Sequence, residues 1–443
     1  MRIQLSDHFS YGKLLRFSLP SMAMMAFTSI YGVVDGLFVS NFVGKEPFAA
    51  INLIMPILMI AASFGFMMGA GGTAIVAKTL GEGDKRRANE YFSFIVYITI
   101  AAGVVIATIG ILFMPQLASL LGAKGETLEY VISYGRIVLK ALPFYMMTNL
   151  FQSLFIAAEK PKLGLYVNVF AGISNMVLDA LFVVVLDLGL EGAAYATAIT
   201  QFIGGALPIV YFARKNDSLL RLTRARFYGK VLLKSMTNGS SELMSNISMS
   251  VVTVFYNLQL MKYAGDDGVA AYGVIMYVSF IFIAIFIGYA IGTAPIISYH
   301  YGANNEHELK SILRKSSVIT LTLGASMLIT GAMFAGPLSA IFVSYDKALL
   351  EMTTSGLFIF SFSFIFSGYS IFISSFFTAL NNGLVSAALS FLRTLVFQLG
   401  GILILPIFLG LDGIWYSMLI AEVLAMATTV ILLFANNKKY KYM

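Results

Sequence analysis

Four polar side chains stand where the residues around them are almost entirely apolar: Asp35, Asn175, Asp179 and Thr197. Asn175 and Asp179 are four apart, which on a helix puts them on one face. Two carboxylates with amide and hydroxyl oxygens can coordinate a small hard cation such as sodium. The same pair can instead share a proton, since two like charges held close resist ionising together. A charge at mid-bilayer costs roughly 2.5–3.5 kcal/mol on insertion scales, so a chain that keeps such acids is expected to use them. Glu242 and Glu422 lie in similarly apolar surroundings. Glu242, following Asn238-Gly-Ser-Ser, could neutralise a cationic substrate or take a proton, or be solvated near a helix end. Glu422 could be a buried structural acid. Arg393 could balance a carboxylate or snorkel, and Arg136 and Lys140 share one helix face. Tyr31 lies one turn before Asp35, and rings with soft methionines near a carboxylate suit bulky organic cations.

What must position these groups is a set of membrane-spanning helices. The chain is 58% hydrophobic and 12% charged, against about 25% charged for soluble domains. Apolar runs long enough to span a bilayer, about 20 residues each, recur near residues 14–39, 50–78, 91–114, 127–157, 163–186, 192–213, 235–262, 270–299, 315–336, 349–379, 384–408 and 413–435. The expected fold is therefore all-α, polytopic, with twelve spans. Shifting the sequence by 221 residues superposes a degenerate second copy, with Gly44 on Gly265, Gly81 on Gly302 and Leu188-Gly-Leu-Glu-Gly192 on Leu409-Gly-Leu-Asp-Gly413. Six spans per copy is an even number, so the copies share one orientation and are related by an axis along the membrane normal. The expected division is an N-lobe at 1–214, a linker at 215–234 and a C-lobe at 235–443. Asp35, Asn175, Asp179 and Thr197 face Tyr256, Val396, Gly400 and Met418 in the second copy. A scaffold that keeps its buried polar cluster in one half points to transport, with the coupling ion bound in that half.

Charge sets the topology. With both termini on one side, 22 Lys and Arg fall there, 4 fall opposite and 3 lie within spans. The positive-inside rule then makes both ends cytoplasmic, and the net charge of +7 is a topology signal rather than a nucleic-acid footprint. The basic stretch from Arg214 to Lys234 reads as an amphipathic linker lying on the lipid surface. The absence of cysteine excludes disulfides, thiolate metal sites and Cys catalysis. His8, His300 and His307 have no metal-ligand spacing. No cofactor and no enzyme activity are expected. The first thirteen residues do not read as a cleavable leader, and a monomer in a prokaryotic plasma membrane is the expectation. Pro20, inside the first span, can kink it and is a candidate moving part.

These residues resemble the multidrug and toxic compound extrusion (MATE) transporters over essentially the whole chain. The resemblance is carried by Leu19-Pro20, by Tyr31-Gly-Val-Val-Asp35 with Phe38-Val-Ser, by Asn175-Met-Val-Leu-Asp179, and by Gly192-Ala-Ala-Tyr-Ala-Thr197. It implies two six-helix lobes around a central cavity, exporting cationic amphipathic drugs in exchange for protons or sodium. It assigns Asp35, Asn175, Asp179 and Thr197 to the cation site, places Tyr31 and Asn149 beside it with Gln152 where relatives often have asparagine, expects Tyr31, Asn149, Gln152 and Glu242 to bind substrate, and makes Pro20 the hinge. Glu242 matches an acidic position that some branches use. The tenth span, from Ser361 to Thr378, has no carboxylate, so the chain looks closer to the DinF-like and MepA-like branches. The rival within the superfamily is a lipid-linked oligosaccharide flippase, which would need a more basic cavity. An intramembrane enzyme would need carboxylate-rich magnesium-diphosphate loops, and the adjacent acids Asp266-Asp267 sit in a short outer loop.

Overall fold

In lipid a spanning segment must satisfy its own backbone, which leaves helices as the solution for apolar runs of this length. The computed structural model describes residues 3–38 and 42–442, the side chains at 33, 35–37, 45 and 49 excepted. The first lobe is built from α1 (Tyr11–Phe38), α2 (Lys45–Gly81), α3 (Lys85–Leu112), the short α4 (Met114–Leu120), α5 (Glu126–Ala157), α6 (Pro161–Asp179) and α7 (Gly189–Ala213). The second comprises α8 (Gly229–Gly302), α9 (Glu306–Met333), the short α10 (Ala335–Val343), α11 (Lys347–Ser361), α12 (Phe364–Ala379), α13 (Gly383–Phe391), α14 (Gln398–Leu409) and α15 (Leu411–Tyr440). A π-helical stretch, Ala180–Val185, extends α6, and another, Leu392–Phe397, joins α13 to α14. At 74 residues α8 holds the seventh and eighth spans, broken at Gly265, where φ is +62°. α11 and α12 form one span bent by 49°. Among the described residues these elements make up twelve spans in two six-helix lobes.

The backbone repeats as the sequence does. Gly44, Gly83 and Gly189 take positive φ, and so do their counterparts Gly265, Asn304 and Gly410, conformations that glycine and asparagine adopt at least cost. Asp84 caps α3 by accepting the Arg87 N–H, and its counterpart Asn305 caps α9 by accepting that of Glu308.

The lobes meet at the end of the bundle that carries both termini and most basic residues, here called the basic end. The contacts are made by glycines and obey the repeat. A Cβ on Gly81 would overlap the Tyr299 carbonyl, and one on its counterpart Gly302 would overlap that of Lys78. Gly239 and Gly71 press α8 against α2, while Ser18 and Gly292, their counterparts, press α1 against α8. Small residues let backbones approach where lipid supplies no hydrophobic drive. Asn381 adds Nδ2–H donation to the Ala74 carbonyl at 3.5 Å and accepts from Asn238 Nδ2 at 2.7 Å.

Two connections differ from the sequence expectation or exceed it. The linker is non-helical from 214 to 228, with bends at 214 and 217–219, before α8 begins at Gly229. Its backbone is held by side chains of α3: the Arg221 N–H donates to Asn89 Oδ1 at 2.6 Å and the Thr223 N–H to Ser93 Oγ at 2.8 Å. Tyr228 donates to Glu90 Oε2 at 2.5 Å, and Lys160 pairs with Asp217. The carboxyls of Glu90 and Asp217 are held below the usual carboxylate range, chiefly by Tyr228 and Lys160 respectively. Ahead of α1, residues 3–10 form a strap across the basic end. The Leu5 N–H donates to Glu159 Oε1 of the first lobe at 2.8 Å, and the Phe9 N–H to Glu308 Oε1 of the second at 2.8 Å.

Candidate functional site

The first cluster is made by α1 lying along α6. Gly172 permits the approach, since a Cβ there would stand 2.5 Å from Phe27 Cε1 and 3.2 Å from Tyr31 Cδ1. One turn earlier Thr28 Oγ1 donates to Asn168 Oδ1 at 3.0 Å. The pairings 28 with 168 and 31 with 172 run parallel, so the same register carries position 35 of α1 level with Asn175. Asn168, Asn175 and Asp179 form a buried stripe on α6, 7%, 3% and 1% exposed. Packing of the first span on the fifth is therefore present, as is the shared face of Asn175 and Asp179. The Asp35 side chain lies outside the described residues. Asp179 ends the α-helical part of α6, and the π stretch begins at the next residue. A π turn inserts one residue into the helical repeat and occurs often at functional positions. Thr197 is half-buried on α7, whose start packs through Gly192 against the Phe182 carbonyl of the π stretch.

The remaining expected residues are spread more widely. Asn149 is buried between α5 and α2, its Nδ2 3.5 Å from the Ala62 carbonyl. Gln152 is buried one turn further on, its Oε1 without a partner among the described residues. Pro20 lies within α1, which runs helically through it, and it is buried next to Ser21, which meets Gly288 and Gly292 of the second lobe. Glu242, half-buried, lies one turn beyond the Gly239 contact and faces a different space.

That space is a cavity belonging mainly to the second lobe, floored by Thr73 of α2 and Ser153 of α5. Glu242, Tyr256 and Tyr272 of α8 line it, with Arg393 opposite them on the π stretch. Tyr256 and Tyr272 stack with centroids 4.7 Å apart and planes at 6°, and the Tyr256 hydroxyl lies 2.8 Å from Ser417 Oγ. Arg393 and Glu422 form an ion pair: Nε donates to Oε1 at 2.9 Å and to Oε2 at 3.0 Å, and Nη2 lies 2.8 Å from Oε1. Glu422 is fully buried, while the Arg393 side chain keeps 13% of its surface. Of the alternatives open from sequence, balancing a carboxylate is what Arg393 does. The pairing is absent from the sequence expectation. Its only signal was one acid and one base in consecutive spans, at the counterparts of Gln201 and Gly172.

The two halves thus use one scaffold differently. Where Gly172 admits α1 against α6, the second copy has Arg393, and there a cavity opens instead. Glu242 and Arg393 are the cavity's charged groups, set among Ser and Thr hydroxyls such as Ser374, Ser375 and Thr394 and among aromatic and aliphatic side chains, a mixed lining that an organic ligand can use.

Comparison with known proteins agrees with this architecture. The MatE family profile matches residues 20–181 and 243–403, one match in each lobe. A multidrug export protein MepA of Staphylococcus haemolyticus is 27% identical over 410 residues, covering 92% of this chain and 90% of its own length. The solved outward-facing conformation of a multidrug resistance MATE family transporter of the MOP superfamily superposes with a TM-score of 0.93 at 24% identity, covering 98% of each chain. A MATE crystal structure in the bent conformation gives 0.89 at 24% identity, covering 98% of this chain and 97% of its own. With the profile matched in both lobes, the chain belongs to the MatE family of multidrug and toxic compound extrusion transporters.

Proposed function

We propose that this protein exports amphipathic organic cations across a prokaryotic plasma membrane in exchange for protons or sodium, as a monomer with both termini cytoplasmic. The observation that carries the reading is the buried Asn168–Asn175–Asp179 stripe facing α1, in a chain whose relative of similar length is a multidrug export protein. Asp35, Asn175, Asp179 and Thr197 take up the ion, with Tyr31, Asn149 and Gln152 around them. Occupation of the cluster changes how α1 lies on α6, and Pro20, lacking one backbone hydrogen bond, is where α1 bends. α1 also packs on the second lobe through Ser18 and Ser21, so its bending is felt at the lobe contact. Drug and ion then oppose each other, each weakening the other's affinity by the same factor. Alternating access is the rocking of one lobe on the other about the glycine contacts. Glu242 offers a negative charge to the cationic substrate.

The test is ethidium accumulation into inverted vesicles under separate proton and sodium gradients, comparing wild type with Asp35→Asn and Asp179→Asn. Driven accumulation by wild type that both variants lose supports the reading, and the effective gradient names the ion. Equal transport by the variants would refute coupling through this cluster.

A further inference from the structure

Resting on that export reading, the C-lobe cavity carries a statement about substrate chemistry. A guanidinium has two forks, one formed by Nε and an Nη, the other by both Nη groups. Glu422 occupies the first fork of Arg393 from a fully buried position. The second fork has no protein partner among the described residues, and the side chain forms part of the cavity wall. An ion pair kept only for stability is hard to justify, because apolar residues of equal volume commonly do as well or better. As built, Glu422 fixes the plane of the guanidinium and leaves a planar pair of donors for a ligand. A carboxylate is the group that matches such a fork. Beside it stand the stacked faces of Tyr256 and Tyr272, and the α8 wall supplies Glu242.

We propose that Arg393 is a specificity-determining residue, its free guanidinium edge receiving the carboxylate of those substrates that bear one. The carboxylate sits on the free fork, the flat ring system lies against the tyrosines, and the cationic centre is balanced by Glu242. Glu422 is a positioning residue, acting through Arg393.

Rhodamine B, which carries a free carboxylate, and its ethyl ester share one ring system and differ at this group alone. Their binding to purified protein is read by fluorescence polarisation for wild type, Arg393→Lys and the double variant Arg393→Met/Glu422→Met. The double variant removes both charges together, leaving no buried ion alone. The expected result is a loss of about 10- to 100-fold in affinity for the acid, the scale of a charge-assisted pair of hydrogen bonds. Ester binding stays within threefold and the melting temperature is retained. Arg393→Lys, keeping charge without the fork, falls between. Equal losses for acid and ester, or no loss for either, would overturn the proposal. A wild type that binds only the ester would overturn it while leaving multidrug export standing. A wild type that binds neither dye and moves no ethidium would remove both.

Discussion

Glu308→Ala should loosen the strap that ties the lobes together at the basic end. Glu308 is 3% exposed and accepts the Phe9 N–H at 2.8 Å, while His8 Nδ1 lies 2.6 Å from its other oxygen. A buried hydrogen bond to a charged group contributes about 1.5–3 kcal/mol. The His8 side chain is 66% exposed, so its share is discounted to a few tenths of a kcal/mol at most. Lys315 still donates to the Phe9 carbonyl at 2.6 Å, and Leu5 and Phe9 remain apolar anchors with no exposed surface. The strap therefore stays the favoured state but opens about 10- to 150-fold more often, at 1.4 kcal/mol per tenfold. The chain has no cysteine, so Leu5→Cys provides a unique thiol at a buried strap position. Its labelling by an impermeant maleimide in inverted vesicles, where opening is fast relative to reaction, reports the open fraction. Adding Glu308→Ala to Leu5→Cys should raise the labelling rate by that factor. A change below twofold would refute the idea that Glu308 holds the strap, and the bond would then be redundant with the apolar contacts.

Three further outcomes follow from particular contacts. Gly172→Leu should displace Phe27 and Tyr31, whose atoms lie 2.5 and 3.2 Å from the added Cβ. A loss of about 1–3 kcal/mol in stability, with transport falling further than stability, would be read by thermal unfolding beside vesicle efflux. Gly71→Val should disfavour closure of the basic end, because its Cβ would overlap the Ser235 carbonyl. Faster labelling of a thiol placed at Ser298, buried next to Tyr299, whose carbonyl meets Gly81 across the lobe contact, would show it. Arg393→Met alone should unfold at lower temperature than Arg393→Met/Glu422→Met. It strands a fully buried carboxylate, at a cost of about 3–5 kcal/mol when one partner of a buried pair is removed.

Much of the scaffold was legible because it rests on local rules applied twice. Gly44 and Gly265, or Gly189 and Gly410, can be read as breaks from their residue type and confirmed by their common register. The stripe of Asn175 and Asp179 follows from helical spacing alone. Arg393 and Glu422 were visible only as separate residues, since spacing does not set the rotation of one span against the next. His8 and Glu308 are 300 residues apart, and no periodicity links them. The conformation of the linker was not legible either, because Asn89 and Ser93 of α3, distant in sequence, supply hydrogen bonds to its backbone.

Duplication explains where the halves were free to diverge. Positions on the lobe contact serve both copies at once: Gly81 accommodates the second copy while Gly302 accommodates the first. A bulky residue at either would open the shared contact, so these stay small in both. Positions inside a lobe answer only to their own helices. Gly172 and Arg393 are such a pair, as are Asp35 and Tyr256, and Gln201 and Glu422. With glycine, α1 closes onto α6 and a short row of buried polar groups is left. With arginine, the equivalent helices enclose a cavity walled by tyrosines, a size suited to an organic molecule. An ion held in one lobe can then affect a substrate in the other only through an element that touches both. α1 does so, along α6 through Gly172 and against α8 through Ser18 and Ser21. Under the export reading, α1, a continuous helix that carries Pro20 and touches both lobes, is an element through which ion and substrate would be coupled.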